Sequence, residues 1–446
     1  MKNKDEELEC TSYDNVTKTT PIIRKKSHEI KHRVINTEKE FDDLETDWGL
    51  LSERTATGVF QIYEWSRTWW DHFGAYGELQ IFALYDGKTL VGIAPLFLER
   101  TVIAGMISYA RLRMIGSEIS TTKEGPLLGF KSYSDYLQFL IDDDYLESFF
   151  EHLSYFLTNE VYFDELLIEE IPEKSSTLNI SNYDFSSNGY ELSVNDASRS
   201  YNVSPEDSWK DYLSRLSSKE RNNVRRRLKD IEVGEKNLFR VEEFGLIGDI
   251  ENVLHRFIEL HQKQWNSRGL PGSFAEFSMH RFFMDVSQKL YKNGQLKIKT
   301  IQPVGKYGLE HCLGIDINLV YKNHMYGQHR AMDIESSYFK SSPGKTLLID
   351  TIKDAVQARK TFDFLRGEEK YKERLATKMN QNKTIRIRVS SRYRKWTGRI
   401  LSVYHHSHKT LKVENVRLRV LKNQDESKPV ISRYFHSLIE RMNRRF

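Results

Sequence analysis

The stretch from residue 324 to 365 constrains the fold most, because it alternates strand and helix patterns within one short unit. Apolar residues predict a strand over 324–332, and a polar loop follows over 333–342. Pro343 then opens a helix predicted to run to Ala358, and a second apolar strand covers 361–365. Two strands joined by a helix in this way form a βαβ crossover, so the chain is predicted to contain an α/β sheet.

An earlier block, from Val34 to about Ser193, has its own strand and helix patterns. Apolar runs at 79–85 and 89–98 flank a turn that contains Asp-Gly, which predicts a β-hairpin. Ahead of it, four aromatic residues recur at helical spacing, namely Trp65, Trp69, Trp70 and Phe73. We interpret this face as core packed against the sheet rather than as a surface that stacks on a ligand.

A polar stretch at 194–206 interrupts the chain and predicts a domain boundary. Beyond it, the patterns predict helices over 209–232, 248–265 and 275–291 and strands over 295–301 and 312–320. The predicted organisation is a flexible segment at 1–34, a first half at 35–193, a second half at 194–390 and a basic extension at 391–446.

Composition excludes several classes of protein. The 446 residues are 39% hydrophobic and 12% aromatic, which is typical of a globular chain with a sizeable core. No apolar run approaches the ~20 residues that a bilayer crossing requires. The first residues are charged and have no apolar segment of a secretion signal, so we expect a cytoplasmic protein. The two cysteines, Cys10 and Cys312, are too far apart in sequence to indicate a disulfide framework, and Cys312 is interpreted as a structural thiol.

Charge is distributed unevenly. Residues 370–446 contain 21 Lys and Arg against 5 Asp and Glu, whereas the whole chain has a net charge of only +4. Such a segment can bind nucleic acid, an anionic membrane or an acidic polymer, or it can be a solvated surface. Apolar residues between Tyr434 and Met442 suggest an amphipathic helix on anionic lipid, which would place the protein at the inner membrane.

The start of the predicted 343–358 helix is a candidate phosphate site. Gly344-Lys345-Thr346 resembles the end of a nucleotide-binding loop, but Phe339 occupies the position where that motif requires glycine. A Ser-Pro-Gly turn still directs backbone N–H groups and the positive end of the helix to one point. The structural alternative is that Pro343 and Ser342 only begin and cap the helix.

Motifs for metal binding and for hydrolase catalysis are weak. His405, His406 and His408 have no carboxylate or cysteine at ligand spacing. His255 and His261 are six residues apart, on opposite faces of a helix, and no GxSxG motif occurs. No metal site is predicted.

Charged residues follow the last strand of the βαβ unit. The segment from Phe362 to Lys372 ends a strand and begins a helix, so its charges lie at the carboxyl end of that strand. Open α/β sheets usually bind ligands at this edge. The structural alternative is a surface cluster of ion pairs.

Taken in order, four segments resemble the GNAT-type acyltransferases of the CelD/BcsL family, named for a proposed role in bacterial cellulose biosynthesis. They are Leu90–Leu96, Leu216–Arg227, Leu260–Trp265 and the set formed by Ser342–Gly344, Phe362–Gly367 and Tyr371–Lys372. The resemblance covers about residues 35 to 390. It implies an α/β (α+β) fold of two tandem GNAT-like halves with mixed sheets flanked by helices, an architecture shared with the FemABX peptidyl transferases.

The resemblance also implies an acyl-CoA donor, acetyl-CoA or a longer acyl-CoA. In GNAT enzymes an [RQ]xxGx[GA] loop before a long helix holds the pyrophosphate of CoA, and Lys340–Lys345 occupies the equivalent place. The sequence departs from that motif because the second small residue is absent. The expected donor-binding residues are Ser342, Gly344, Lys345 and Thr346.

The implied reaction is attack by an amine or hydroxyl on a thioester, which requires a base and a donor to the leaving thiolate. The expected acid and base residues are Asp363, Glu368, His329 and Tyr371. The expected residues for binding phosphate or an anionic acceptor are Arg225, Arg366, Lys370 and Lys372. The basic helix at 219–229 is interpreted either as a clamp over this site or as a salt-bridged surface.

The resemblance implies acyl transfer to a saccharide or a cell-envelope precursor. An alternative is aminoacyl-tRNA-dependent transfer of the FemABX kind, which would explain the basic extension, although nucleic acid is the less favoured partner. A third interpretation is a non-catalytic assembly protein with a decayed donor site.

Overall fold

The computed structural model describes residues 29–103, 107–119, 134–205, 208–231, 238–245 and 249–391. The histidine cluster at 405–408 and the amphipathic segment at 434–442 lie outside these residues. Among the helices that are described, none has both the length and the apolar composition to cross a bilayer.

The first half of the described chain contains four helices and the first six strands. Its helices are α1 (Glu38–Asp42), α2 (Glu45–Arg54), α3 (Tyr63–Phe73) and α4 (Leu146–Tyr155). Its strands are β1 (Ile30–Ile35), β2 (Glu78–Asp86), β3 (Thr89–Ile103), β4 (Ile107–Met114), β5 (Leu140–Ile141) and β6 (Glu165–Ile171).

The second half contains the remaining described elements. Its helices are α5 (Trp209–Arg215), α6 (Ser218–Lys229), α7 (Ile250–Asn266), α8 (Phe277–Lys292), α9 (Pro343–Gln357) and α10 (Lys370–Leu375). Its strands are β7 (Tyr190–Val203), β8 (Phe239–Glu243), β9 (Leu296–Pro303), β10 (Gly314–Tyr321), β11 (His324–Met332), β12 (Thr361–Arg366) and β13 (Lys378–Val389).

The described strands form one mixed sheet in the order β1-β2-β3-β4-β6-β13-β7-β12-β11-β10-β9-β8, with β5 paired to β3. The strands of the first half lie at one end and those of the second half at the other. The last described strand, β13, lies between β6 and β7 and is antiparallel to both. The two halves therefore share one continuous sheet, and the predicted tandem α/β architecture is confirmed.

Each half contains one parallel strand pair, as a βαβ crossover requires. In the first half β4 pairs with β6, and α4 lies between them in sequence. In the second half β11 pairs with β12, and α9 connects them. The crossover predicted from residues 324–365 is confirmed.

The predicted hairpin and the aromatic helix before it are both present. Strands β2 and β3 pair antiparallel across the turn at Gly87. On α3 the aromatic side chains are buried, and the indole of Trp65 packs edge-on against Phe282 of α8, with 5.5 Å between ring centroids. The aromatic face of α3 is therefore core, and it packs against the second half of the chain.

Two local predictions differ from the structure. The polar stretch at 194–206 is mostly strand, because β7 runs to Val203 in the centre of the sheet with its last four residues buried. The predicted 193/194 boundary falls inside this strand. The helix predicted over 209–232 is broken into α5 and α6, because Leu216 is extended and the Ser217 hydroxyl accepts a hydrogen bond from the Glu220 amide to cap α6.

Candidate active site

Strands β11 and β12 pair over only three positions and then diverge. The last paired residues are Tyr326 and Asp363. Gly327, the next residue of β11, has no side chain to fill the gap; a Cβ there would lie 3.0 Å from the ring of Phe362. Beyond this point the strands no longer bond to each other, so backbone groups of both become available to a ligand. This divergence is called the wedge below, and the Tyr326–Asp363 pair is its apex.

Two connected cavities run from the wedge to the start of α9. One, of about 520 Å³, is lined by Gly327–Arg330 of β11 and by Phe362 and residues 364–367 of β12 and the turn after it. The other, of about 610 Å³, lies over the Ser342–Lys345 turn and α6. They share the side chains of Gln264, Arg268, Arg330, Leu348 and Tyr371. Together they form a single cleft, called the donor cleft below, whose size suits an elongated ligand.

The turn before α9 begins with a residue in a strained conformation. Ser342 has φ of 58° and ψ of 53°, the left-handed region that a residue with a side chain seldom adopts. Its hydroxyl does not cap the helix; instead its carbonyl accepts hydrogen bonds from the amides of Lys345 and Thr346. Within the described residues the Gly344 amide has no partner. Several free amides were expected at this turn, but among the described residues only that of Gly344 is free. It lies at the positive end of a 15-residue helix.

Cationic side chains make the mouth of the donor cleft strongly positive. Those that line the cavity over the turn are Arg226, Arg227, Arg268, Arg330, Lys345 and Arg374, and Glu220 is the one acidic residue among its lining residues. Arg227 donates a 2.6 Å hydrogen bond to the Ser341 carbonyl, which ties α6 to the turn. The interpretation of α6 as a clamp therefore fits Arg226 and Arg227.

Arg330 is held where the two cavities meet. Its guanidinium lies 2.8 Å from the carboxylate of Asp316, which is buried on β10. The other Asp316 oxygen accepts a 2.8 Å hydrogen bond from the Thr351 hydroxyl of α9. A buried carboxylate anchored on two elements fixes the direction of the arginine.

Asp363 is a buried acid at the apex of the wedge. One of its oxygens accepts hydrogen bonds from the Tyr136 hydroxyl at 2.8 Å and the Leu365 amide at 2.7 Å. Leu365 has φ of 60°, and this strained residue lies in the bulge where β12 leaves β7. Burial raises the pKa of Asp363 from its ordinary 3.8 to about 7, despite the hydrogen bonds from Tyr136 and Leu365 that favour the ionised form.

Two buried histidines line the inner part of the donor cleft. His329 lies on β11 among Phe257, Phe274 and Phe283, and burial lowers its pKa to about 3. His261 of α7 lies nearby, and burial lowers its pKa to about 4. Both rings are therefore neutral near pH 7 and are weak bases.

The first half contributes directly to this site. Asp135 lines the donor cleft, and its carboxylate lies 2.5 Å from the guanidinium of Arg366 in the second half. Arg366 also approaches Glu170 of β6, at 3.8 Å. The next residue, Tyr136, is the one that bonds Asp363. The site is thus completed across the junction of the two halves.

The predicted site residues fall into three groups. Those that line the donor cleft are His329, Ser342, Gly344, Lys345, Arg366, Tyr371 and Lys372. Asp363 lies at the wedge apex and faces a separate cavity between the halves. The others lie elsewhere: Arg225, Glu368 and Lys370 are exposed and line neither cleft cavity, and Thr346 is fully buried within the packing of α9.

Lys372 has structural partners in addition to its place in the cleft. Its ammonium donates a 2.6 Å hydrogen bond to the Arg366 carbonyl and lies 3.0 Å from Glu369. It therefore fixes the 366–369 turn.

Several cleft residues carried no sequence signal of a function. Arg330 and Arg268 are isolated cations in sequence, whereas Arg374 lies two residues beyond Lys372; the three converge only through the fold. Asp135 comes from the first half and could not be paired with Arg366 by spacing. The resemblance did include Leu260–Trp265, and His261 and Trp265 of that segment line the cleft, so that motif was an available signal.

Residues 218–373 match the family model described as an acetyltransferase (GNAT) domain. The second half is therefore similar in sequence to GNAT acetyltransferase domains. The matched segment begins with α6 and ends beside Lys372, so it contains the turn, the wedge and most of the donor cleft. The match does not extend to the first half.

Several solved structures are similar to this chain at low sequence identity. FemX is 12% identical, with a TM-score of 0.50, over 80% of this chain and 96% of its own. L-PGS from Bacillus licheniformis is 10% identical, with a TM-score of 0.44, over 84% of this chain and 97% of its own. A tandem GNAT protein from the clavulanic acid biosynthesis pathway is 10% identical, with a TM-score of 0.38, over 80% of this chain and 98% of its own. At these identities the likeness to FemX shows the fold. The curated proteins gave no match.

Proposed function

We propose that the protein transfers an acyl group from acyl-CoA to an amine or hydroxyl of a saccharide or cell-envelope precursor. The observation that carries this proposal is the donor cleft, which runs from a cationic helix start to the wedge, beside the buried acid Asp363 that faces the adjoining cavity. The cleft thus provides sites for the phosphates, the arm and the reacting end of one elongated thioester.

The phosphates of CoA fit the mouth of the cleft. A diphosphate needs cations and backbone donors at one place, and the Gly344 amide, Lys345, Arg226 and Arg227 converge there. Arg268 and Arg374 extend the positive surface. This excess of cations over the single acid Glu220 favours a ligand with several negative charges.

The wedge suits the pantetheine arm. This arm carries two amide groups, which can pair with the backbone groups that β11 and β12 no longer share after Tyr326 and Asp363. Leu348, Phe362 and Phe364 supply apolar contacts along the same cavity. The thioester then lies toward the apex.

Asp363 is proposed as the general base. Its oxygen takes the proton from the acceptor O–H or N–H while the acceptor atom attacks the thioester carbon. The C–S bond then breaks, and the thiolate takes a proton to give CoA and the acylated acceptor. A carboxylate with a pKa of about 7 is suited to proton transfer near neutral pH, whereas His329, with a pKa of about 3, is not.

Tyr371 is proposed as the donor to the leaving thiolate. It lines both cavities of the cleft, and burial raises the pKa of its hydroxyl, so it holds its proton at neutral pH. Arg330, beside it in both cavities, lowers that pKa and provides charge for the developing anion.

Calorimetric titration with acetyl-CoA, longer acyl-CoAs and free CoA tests the donor site. We expect binding that Gly344→Asp weakens by at least about 100-fold, because the new side chain meets Met332 at 2.9 Å and places a negative charge among the cations. Gly49→Asp is the matched control, since a Cβ at Gly49 of α2 meets nothing within 4 Å. Absence of binding by every CoA species, with retention of aminoacyl-tRNA at moderate salt, would replace this proposal with a tRNA-dependent transferase.

A further inference from the structure

A second cavity lies between the two halves, beside the apex of the wedge. It has a volume of about 450 Å³, within the usual range of roughly 300–1,000 Å³ for small-molecule sites. Residues 56–58, Tyr136, Gln138 and residues 172–174 of the first half line one part of it. Side chains of β7, β11, β12 and β13 line the rest. It is called the amide cavity below.

Planar polar side chains without partners face this cavity. Asn202 is 9% exposed and Asn382 is 1% exposed, yet the Asn202 side chain and the Asn382 Oδ1 make no hydrogen bond within the described residues. Asn380 lines the same wall and likewise has no side-chain partner among those residues. Because buried polar groups in folded proteins are almost always bonded, the unpaired Oδ1 of Asn382 indicates a polar ligand, to which Asn202 and Asn380 can also bond.

Two further groups at the apex add to this set. One oxygen of Asp363 holds both described hydrogen bonds, from Tyr136 and Leu365, which leaves the other oxygen for a ligand. The hydroxyl of Tyr326, a residue only 5% exposed, lines the cavity opposite. The aromatic rings of Tyr136 and Tyr326 add flat apolar surface to the lining.

The chemistry of this lining favours a polyhydroxylated ligand. The side-chain amide of an asparagine donates hydrogen bonds through its nitrogen and accepts them through its oxygen, so it can pair with two neighbouring hydroxyls of a sugar. A carboxylate can accept a hydrogen bond from a further hydroxyl. Aromatic faces contact the C–H groups of a sugar ring. The cations of the lining, Lys174, Lys322 and Lys378, are few, and Lys322 already donates to the carbonyls of Ser52 and Thr55.

We infer that the amide cavity binds the acyl acceptor and that the acceptor is a saccharide. Asp363 lines this cavity, whereas Phe362 and Phe364 on either side of it line the donor cleft. Donor and acceptor therefore approach the apex from two different cavities. This inference rests on the proposed function for the role of the ligand, but binding itself is measured without a donor.

The test is saturation-transfer NMR on the full chain with glucosamine, N-acetylglucosamine, galactose and mannose. We expect at least one sugar to bind and Asn380→Ala to weaken that binding at least fivefold, while Asn195→Ala leaves it unchanged. Asn380 is half-buried, so its truncation should not unfold the chain, and Asn195 is an exposed asparagine on the neighbouring strand β7. Thermal unfolding of both variants at the temperature of the unmodified chain serves as the check of folding, so that the check does not depend on CoA binding.

The outcomes separate the two proposals. If no sugar binds, or if Asn380→Ala binds as well as the unmodified chain, the saccharide inference is overturned even where CoA still binds. If a sugar binds with the expected pattern but no CoA species does, the acceptor site stands and the proposed donor fails.

Discussion

The two parallel strand pairs described in the sheet, β4–β6 and β11–β12, belong to the same type of crossover but differ in what lies beside them. One adjoins a packed core and the other an open cleft. In the first half the aromatic side chains Phe149, Phe150 and Phe156, all at most 1% exposed, belong to one buried cluster with apolar residues of β4 and β6. In the second half the β11–β12 pair opens at Gly327 into the donor cleft. The fold alone therefore does not make the site; the side chains beside each crossover do.

The charges of the two regions differ in the same way. Glu165, where β6 begins to pair with β4, is fully buried and lies within 2.9 Å of Arg111, Arg386 and Arg388, so these cations already have a protein partner. Around the donor cleft Arg330 and Arg366 also have carboxylate partners. By contrast, Arg226, Arg268 and Lys345 make no ion pair within the described residues and line the cavity. A region whose charges are paired internally is suited to stability, whereas one with excess charge in a cleft is suited to a charged ligand.

The largest expected effect is that of Asp363→Asn on catalysis. If Asp363 is the base, kcat should fall by roughly 10²- to 10⁴-fold with the Kd for CoA unchanged. The unmodified enzyme should lose activity as pH falls through about 7, because the carboxyl then becomes protonated. Steady-state rates across pH 5–9 test this. A variant that retains more than a tenth of the rate would remove Asp363 from the role of base.

The same group should make stability depend on pH. Because the folded-state pKa of Asp363 is raised from 3.8 to about 7, the folded chain keeps a proton there that the unfolded chain releases. Its contribution to stability is therefore fully present below about pH 4 and is lost as pH rises to 7. Denaturant unfolding should show this slope reduced in Asp363→Asn; an identical slope would mean that other groups produce it.

Truncation of the first-half core should affect stability and leave donor binding intact. Phe149→Ala removes a ring packed against Phe82 and Phe150 and should lower the free energy of unfolding by about 3–5 kcal/mol. Urea unfolding measures the loss, and titration with CoA below the unfolding transition measures binding. Loss of CoA affinity in the folded variant would mean that this half also shapes the donor site.

Removal of a single cation should weaken CoA binding strongly when the cation lines the donor cleft and only slightly when it lies on the exposed surface. Arg330→Ala is expected to raise the Kd for CoA by roughly 10- to 100-fold, as expected for a charge-assisted contact worth about 1.5–3 kcal/mol. Arg225→Ala is the matched control, since Arg225 is exposed and lines neither cleft cavity, and its effect should stay below about twofold. Equal effects of the two variants would indicate long-range attraction rather than a defined site.

The smallest expected effect is that of Ser342→Gly. A non-glycine residue in the left-handed region costs roughly 1–2 kcal/mol, and glycine relieves this at an entropic cost of about 0.5–1 kcal/mol. Thermal unfolding should show a gain in stability of about 1 kcal/mol or less. A loss of stability would mean that contacts of the Ser342 side chain outweigh the backbone strain.

The sequence alone determined the order of elements from β9 to β12, whereas β8 and β13 were not predicted. The spacing of apolar residues and Pro343 predicted β11, α9 and β12 within a few residues, because local periodicity and helix-start chemistry act over short distances. It also located the turn before α9 and the charged segment after β12. The central strand β7 was not predicted, since its mostly polar side chains at 194–202 are accommodated by neighbours distant in sequence.

The donor cleft itself was decided by tertiary structure. Arg330 faces the cleft because Asp316, 14 residues earlier on the antiparallel strand β10, holds it there. Asp363 acquires its raised pKa because the folded chain buries it, although the hydrogen bond from Tyr136 of the first half acts in the opposite direction. Burial and long-range pairing depend on which segments meet in space, and the order of residues along one strand does not contain that information.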